Sequence, residues 1–368
     1  NVATERINSY LGRLAYNFNQ KYYIEGSYRR DGSSRFNSDT RWGDFFSVGG
    51  SWVVSSESFL ENSKTLNYLK LRGSYGELGN NRIQFAGTAT QNYFPFQSVF
   101  NLGWNNEGNT GILLAGVADP NISWEKTQSL NVGLDFELFN GVISGTVDYY
   151  EKESVDLIYE KPIPSSTGVD NIITNIGAVK NYGWEVALNS RNISTEDFTW
   201  TTGINFSLDN NEITELTQEE FINGSKLWKV GNSIFDWYIR DWAGVDPADG
   251  FGMWYQDILD DEGEVTGRTT TKDYNAATRY ETGSSSLPDI IGGFTSFLKY
   301  KQFDLNILVN FSFGGTLLDT DYSGLISQFS NPGVSHHTDI LNRWQQPGDI
   351  TEYPLVYSGN NNHASRST

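Results

Sequence analysis

Apolar and polar residues alternate one by one over long runs of this chain, and very short turns join the runs in pairs. In the clearest pair, Leu130, Val132, Leu134, Phe136 and Leu138 alternate with Asn131, Gly133, Asp135 and Glu137. After Asn140-Gly141, Ile143, Val147 and Tyr149 alternate with Ser144, Thr146 and Asp148. A period of two puts every second side chain on one face of a strand. Asn-Gly is a strong hairpin signal, because both residues accept positive φ. The predicted strands run ten residues or more, against about five or six in ordinary soluble sheets. That length, with one greasy and one polar face, suits a strand that crosses a bilayer.

The same pattern recurs along the chain. Tyr10, Leu14, Tyr16 and Phe18 share one face of the first predicted strand, and Leu11, Arg13, Ala15 and Asn17 share the other. A turn at Asn19-Gln20 leads to Tyr22, Ile24 and Tyr28, alternating with Tyr23, Glu25, Ser27 and Arg29. Phe46, Val48 and Trp52 mark the third strand, and the stretch from Ser56 to Leu66 has a helix-start pattern. Lys70, Arg72 and Ser74 alternate with Leu69, Leu71 and Tyr75 on the fourth. Further on, Trp184, Val186 and Leu188 pair through a turn at Ser194–Asp197 with Trp200, Ile204, Phe206 and Leu208, opposite Gly203, Asn205 and Asp209. The last hairpin, Ile290 to Phe313, turns at Lys301-Gln302 and alternates Leu305, Ile307, Val309 and Phe311 with Asn306, Asn310 and Ser312.

This gives ten predicted strands, with connections that alternate between short and long, one of the short set (after the third strand) being of medium length; the long ones are about 31–44, 79–124, 154–178, 210–288 and 314–368. The expected fold class is all-β, an antiparallel transmembrane β-barrel present in part. Short turns of such barrels face the periplasm and long loops face outside. Aromatic residues beside each short turn (Phe18 and Tyr22, Phe136 and Phe139, Phe198 and Trp200, Tyr300 and Phe303) fit an interfacial girdle. Cross-strand pairing in a soluble sandwich would also put aromatics there; their recurrence at all four turns favours the girdle. The chain opens on Asn1-Val2-Ala3 without a leader and closes on the polar Ala364–Thr368, so strands are expected to be missing at both ends.

Composition narrows the class further. The 368 residues include no cysteine and 14% aromatics, and no run approaches the roughly 18 apolar residues of a membrane helix. Acidic residues outnumber basic ones 45 to 26, a net charge of −19, which argues against nucleic acid as a partner. A mean hydropathy of −0.46 suits either a soluble protein or a barrel with a polar inner face.

Several stretches resemble the SusC/RagA-like TonB-linked outer-membrane proteins of Bacteroidota. They are Tyr10-Leu-Gly-Arg-Leu-Ala-Tyr-Asn-Phe18, Arg29-Arg-Asp-Gly-Ser-Ser-Arg-Phe36, Leu69-Lys-Leu-Arg-Gly-Ser-Tyr-Gly76 with Gly79-Asn80, and Asp119-Pro-Asn-Ile-Ser-Trp-Glu-Lys-Thr127. Further on come Asn131-Val-Gly-Leu-Asp-Phe136, Val147-Asp-Tyr-Tyr150, Asn175-Ile-Gly-Ala-Val-Lys-Asn-Tyr-Gly-Trp-Glu185 and Gly244-Val-Asp-Pro247. Ser286-Leu-Pro-Asp289, Gly292-Gly-Phe294, Phe311-Ser-Phe-Gly-Gly315 and Leu341-Asn-Arg-Trp344 complete the set in family order. The resemblance implies a 22-stranded barrel holding an N-terminal plug, capped by a SusD-like lipoprotein. It also implies import of oligosaccharides or peptides driven through TonB-ExbB-ExbD. The plug, the TonB box and the terminal strands are absent from this sequence, so gating is implied only by the resemblance.

Candidate chemistry is sparse. His336-His337 lacks further ligands at metal-binding spacing, and neighbours on a strand point to opposite faces. Asp260-Asp261-Glu262-Gly263-Glu264 lacks the ligand spacing of an EF-hand, leaving an exposed acidic turn with incidental calcium as the outside reading. No cofactor is expected. The glycines of Gly73-Ser-Tyr-Gly-Glu-Leu-Gly79 precede no helix, and no Gly-x-Ser-x-Gly elbow occurs, so an enzyme is not expected. Trp104, Trp228, Trp237, Trp242, Trp254 and Tyr255 fall in the long loops, where they either pack the loops and a partner or touch ligand; packing is favoured for most. Arg13, Glu25, Asn131, Asp135, Asn205 and Asn310 are expected to line the lumen, and the opposite face to meet outer-membrane lipid. The leading expectation is therefore an outer-membrane nutrient importer. Its rivals are a barrel serving as a structural subunit of an envelope complex, and a soluble all-β enzyme or lectin.

Overall fold

A computed structural model describes residues 4–84, 92–106, 108–164, 166, 168, 169, 171–327 and 333–356. Ten long strands form one sheet in which each strand is antiparallel to the next and sheet order follows chain order. They are β1 (Ile7–Phe18), β2 (Tyr22–Ser33), β3 (Trp42–Val53), β4 (Leu66–Asn80) and β5 (Glu125–Leu138). The second half is β6 (Ile143–Val155), β7 (Ala178–Ser194), β8 (Phe198–Glu215), β9 (Pro288–Tyr300) and β10 (Phe303–Gly314). The longest, β8, has 18 residues. Antiparallel pairing within each short-turn hairpin follows from the turn, because a connection of a few residues can only join antiparallel neighbours, and the same order continues across the long connections.

The turns hold the backbone conformations their residues invite. Asn19 and Gln20 take φ of 51° and 55°. The β5–β6 turn differs from the expected Asn140-Gly141 pivot. Leu138 pairs with Ile143, so four residues make the loop, and Phe139, Asn140 and Gly141 all have positive φ (53°, 58° and 74°). The Asn67 side chain holds this turn by accepting from the Asn140 N–H and donating to the Asn140 side chain. Beyond β3, a 3-10 helix spans Val54–Ser56, meeting the helical turn expected over Ser56–Leu66 only at Ser56; within that stretch the Glu61 N–H bonds back to the Glu57 carbonyl.

Strands also run further into the long connections than their polarity suggests. β2 continues to Ser33 and β3 begins at Trp42, shortening the loop expected over 31–44. The connection over 79–124 contains a hairpin, Val99–Asn106 with Asn109–Ala118, which joins Asn171–Asn175 and Ile158–Pro162 in a four-stranded sheet. Loop backbone carries the same donors and acceptors as any other, and local sheets satisfy them. Residues 85–91 of that connection, and the closing Ala364–Thr368, lie outside the described residues.

The chain divides into two compact units. The first holds the ten-stranded sheet and comprises residues 1–220, 229–233 and 288–314. Its buried apolar cluster is Phe36, Phe45, Ile83, Ile122 and Trp124. Here two of the resembling motifs meet. Phe36 from the first packs on Trp124 from the second at 5.4 Å, and Trp124 Nε1 donates to the Arg41 carbonyl at 2.8 Å. Gly79 is required at this corner, since a Cβ there would lie 2.1 Å from the Phe45 ring. The second unit comprises residues 221–228, 234–287 and 315–368. It contains a ribbon of Asp236–Arg240 with Arg279–Ser285, and a three-stranded sheet of Trp242–Val245, Gly252–Leu259 and Val265–Thr271. It also contains one short helix, Thr320–Ser327.

Candidate functional site

Cross-strand register decides which side chains share a face. One row across the sheet reads Lys70, Asp135, Thr146, Ala187, Asn205, Gly293 and Asn310. A second row on the same face, with the Arg72–Gly133–Asp148 row between the two, reads Ala15, Glu25, Gly49, Ser74 and Asn131. Arg13, two residues before Ala15, reaches across to Glu25 at 2.6 Å. The six residues expected to line the lumen therefore lie on one polar face. The opposite face carries Phe18, Tyr22, Trp52, Leu71, Leu134, Val147, Val186 and Phe206 in a single row. Apolar side chains stand open to the surroundings there: Leu14 is 77% exposed and Phe303 78%. A soluble monomer does not present an apolar face of this extent.

Arg72 organises the polar face. Its guanidinium donates to Asp135 at 3.2 Å, to Asn131 at 3.2 Å and to Asp148 at 2.5 Å. Asp148 is buried, and one of its oxygens lies where a Cβ on Gly133 would have to be, at 2.3 Å. Gly133 thus makes room for the ion pair. A cavity of about 370 Å³ opens beside the cluster, lined by Arg72, Glu25, Tyr23, Asn131 and the backbone of Gly49 and Gly50. Sequence reading placed Arg72 on the correct face without giving it a role. Its partners come from β5 and β6, and alternation alone says nothing about which strands are neighbours.

The aromatic residues of the long loops fall into different environments. Trp104 is 57% exposed on the hairpin of the first unit, following Gly103 at φ 93°. In the second unit Trp254 is fully buried, with Trp242 at 5.3 Å and Tyr274 at 5.2 Å, both edge-on. Trp228 packs on Phe221 at 5.2 Å. Trp237 donates to the Thr316 carbonyl and carries the Lys226 ammonium over its ring at 3.2 Å. Burial lowers the Lys226 pKa, and nearby Asp236 opposes that shift. The Arg268 guanidinium lies over the Tyr255 ring at 3.8 Å and over Tyr280 at 4.4 Å. The rings of Tyr255 and Trp237 are thus occupied by the protein's own cations, and Trp254 is a packing residue.

The polar motifs are committed to local structure. Asp260 accepts from the backbone of Glu262 and Glu264, closing the acidic turn on itself. His337 accepts from the Asp339 N–H and caps a 3-10 turn, while His336 contacts the Leu325 carbonyl. No group of three or more metal-type ligands occurs among the described residues. Lys272 bridges Asp246 and Asp249 at 2.5 and 2.6 Å. Its hydrogen bond, followed by that of the Ala248 N–H, holds Asp246 below the usual carboxylate range.

Ten antiparallel strands with one apolar and one polar face, joined by short turns at one end and folded connections at the other, define the wall of a membrane-spanning β-barrel. Residues 1–313 match the family described as TonB dependent receptor-like, beta-barrel, and the chain belongs to that family, whose members reside in the outer membrane. It is 32% identical to TonB-dependent receptor P39 of Formosa agariphila over 99% of its length and 38% of that receptor. It is also 32% identical to TonB-dependent receptor SusC of Bacteroides thetaiotaomicron, over 94% of the chain and 36% of SusC. A solved structure of the RagAB peptide importer in its closed-closed state aligns with a TM-score of 0.79 at 26% identity, covering 98% of this chain and 39% of that one. The chain therefore spans well under half the length of these relatives. They are named as receptors and importers, not enzymes, and the sheet is a piece of a larger barrel.

Proposed function

We propose that this chain is the wall and outer-loop part of a TonB-dependent SusC-type importer, which takes up oligosaccharides or peptides across the outer membrane. The observation that carries this reading is the register. Arg13, Glu25, Asn131, Asp135, Asn205 and Asn310 share one polar face, while the opposite face is apolar and suits lipid. In the complete protein the polar face lines the lumen around a plug, the short turns lie on the periplasmic side and the folded connections lie outside. A SusD-like surface lipoprotein caps those connections, and TonB-ExbB-ExbD supplies the energy. The likeness to SusC and to the RagAB peptide importer supports the nutrient class and the lipoprotein partner. The exposed ring of Trp104 is the aromatic best placed to meet a ligand or that partner. In the second unit the buried Trp254 and the cation-covered Trp237 serve packing before contact with a ligand or partner.

The test is growth of a strain lacking the gene on defined oligosaccharide or peptide sources, complemented by the intact gene or by one with a disabled TonB box. Loss of growth on one source, restored only by the TonB-competent gene, is expected. Normal growth on every source, with loss of an envelope complex instead, replaces import with a structural role.

A further inference from the structure

The ribbon of the second unit sets two arginines directly opposite each other, Arg240 against Arg279. Opposed like charges on one face of an antiparallel pair are unfavourable. The chain carries a net charge of −19, so carboxylates are plentiful, and Arg268 nearby takes Asp241 as its partner at 2.6 Å. Neither Arg240 nor Arg279 forms an ion pair among the described residues. Arg279 donates to the Gly224 carbonyl at 2.7 Å. Arg240 lies over the Tyr274 ring at 4.2 Å, and its buried Nε has no acceptor among the described residues. The same Tyr274 touches Trp254, whose buried Nε1 likewise has no acceptor among the described residues. By register the nearest carboxylate on this face is Glu281, across from Tyr238 at the next pair along. Two arginines opposed in register, one of them braced on a ring, with buried donors around that ring that find no acceptor among the described residues, describe a site able to take an anion.

We propose that Arg240 and Arg279 form a binding site for a carboxylate-bearing ligand. The planar fork of N–H groups on a guanidinium matches the two oxygens of a carboxylate, and one Arg279 N–H is already given to the Gly224 carbonyl, which fixes that side chain in place. Tyr274 holds the Arg240 fork from behind, which reduces the entropy lost on binding. The shared chemistry is the carboxylate, whether it comes from a uronic-acid sugar or from an acidic peptide. The inference rests on the import reading for which molecules reach the site, and names their charge.

The test is calorimetric titration of the full-length receptor in detergent with trigalacturonate, with triglutamate and with a neutral trisaccharide. Binding of at least one acidic probe in preference to the neutral one is expected, weakening as salt is raised. Arg240→Gln and Arg279→Gln should each weaken it about tenfold or more, and Arg279→Lys should fall between wild type and Arg279→Gln. If Arg240→Gln fails to fold, Arg279→Gln carries the test, since Arg279 is not stacked on a ring. Binding of only one acidic probe assigns the source as sugar or peptide. Unchanged acidic-probe binding in Arg279→Gln, or equal binding of the neutral probe, overturns the site. Arginine-dependent binding by a protein that imports nothing removes the import reading and keeps the site. Import without any arginine-dependent binding does the reverse.

Discussion

Arg72 shows how much a single side chain can settle on the polar face. It neutralises Asp135 and Asp148 together, and removing it leaves Asp148 buried with no cation. Arg72→Met should cost about 1–3 kcal/mol, the range for stranding a buried polar group, read as a lower midpoint of thermal unfolding in detergent. Arg72→Met combined with Asp148→Asn should recover part of that loss; no recovery would mean the ion pair is not what Arg72 contributes. In the second unit the Asp246–Lys272–Asp249 turn makes a prediction about pH. The folded pKa of Asp246 lies below its ordinary 3.8, so its contribution is complete above that value and fades as pH falls through the lower, folded pKa. Lys272 is raised by the same carboxylates, and its contribution is lost only as pH rises past the ordinary lysine range. Protease sensitivity of this unit should therefore stay flat from neutral pH down to about 4, the ordinary carboxylate pKa, and increase below it. A rise centred on neutral pH would assign the control to another group.

At the scale of the strand and the turn, alternation makes two neighbours unequal. Leu134 lies in the apolar row and Asp135 in the polar one. Leu134→Arg at mid-strand should cost about 2–4 kcal/mol of folding free energy in lipid, whereas Asn205→Arg on the polar face should cost little. Equal effects of the two changes would mean that both faces meet the same medium. The β5–β6 turn needs positive φ at three successive residues. Asn140→Val should therefore destabilise by about 1–2 kcal/mol, the penalty for forcing a left-handed conformation on an ordinary residue, while Asn140→Gly should be tolerated. Refolding of each variant into detergent micelles, followed by gel migration with and without heating, measures both series.

At the scale of the whole molecule, the exposed apolar face predicts how the protein partitions. The full-length protein should remain with the membrane through alkaline carbonate washing, dissolve only in detergent, and migrate differently before and after boiling. Release into buffer would restore the soluble sandwich as an explanation. Gly79 and Gly133 act at this scale too, because each lets an element approach its neighbour where a Cβ would collide. Two motifs far apart in the chain, ending at Phe36 and containing Trp124, form one buried corner. Their spacing in sequence carries no sign of that meeting.

Alternation, turn residues and the length of the runs by themselves determined the ten strands, the pairing within each short-turn hairpin, and which residues share a face. Those are local properties: a period of two assigns faces, and a turn of a few residues leaves a strand no neighbour but the next. Arg72 with Asp135 and Asp148, Phe36 with Trp124, and Arg240 with Arg279 are joined across strands or loops. Only tertiary structure could pair them, since register and loop path decide contacts between residues distant in the chain. The fate of the loop aromatics was likewise a tertiary matter. Trp254 became core and Trp104 stayed exposed because neighbouring strands, not local polarity, decide what covers a ring.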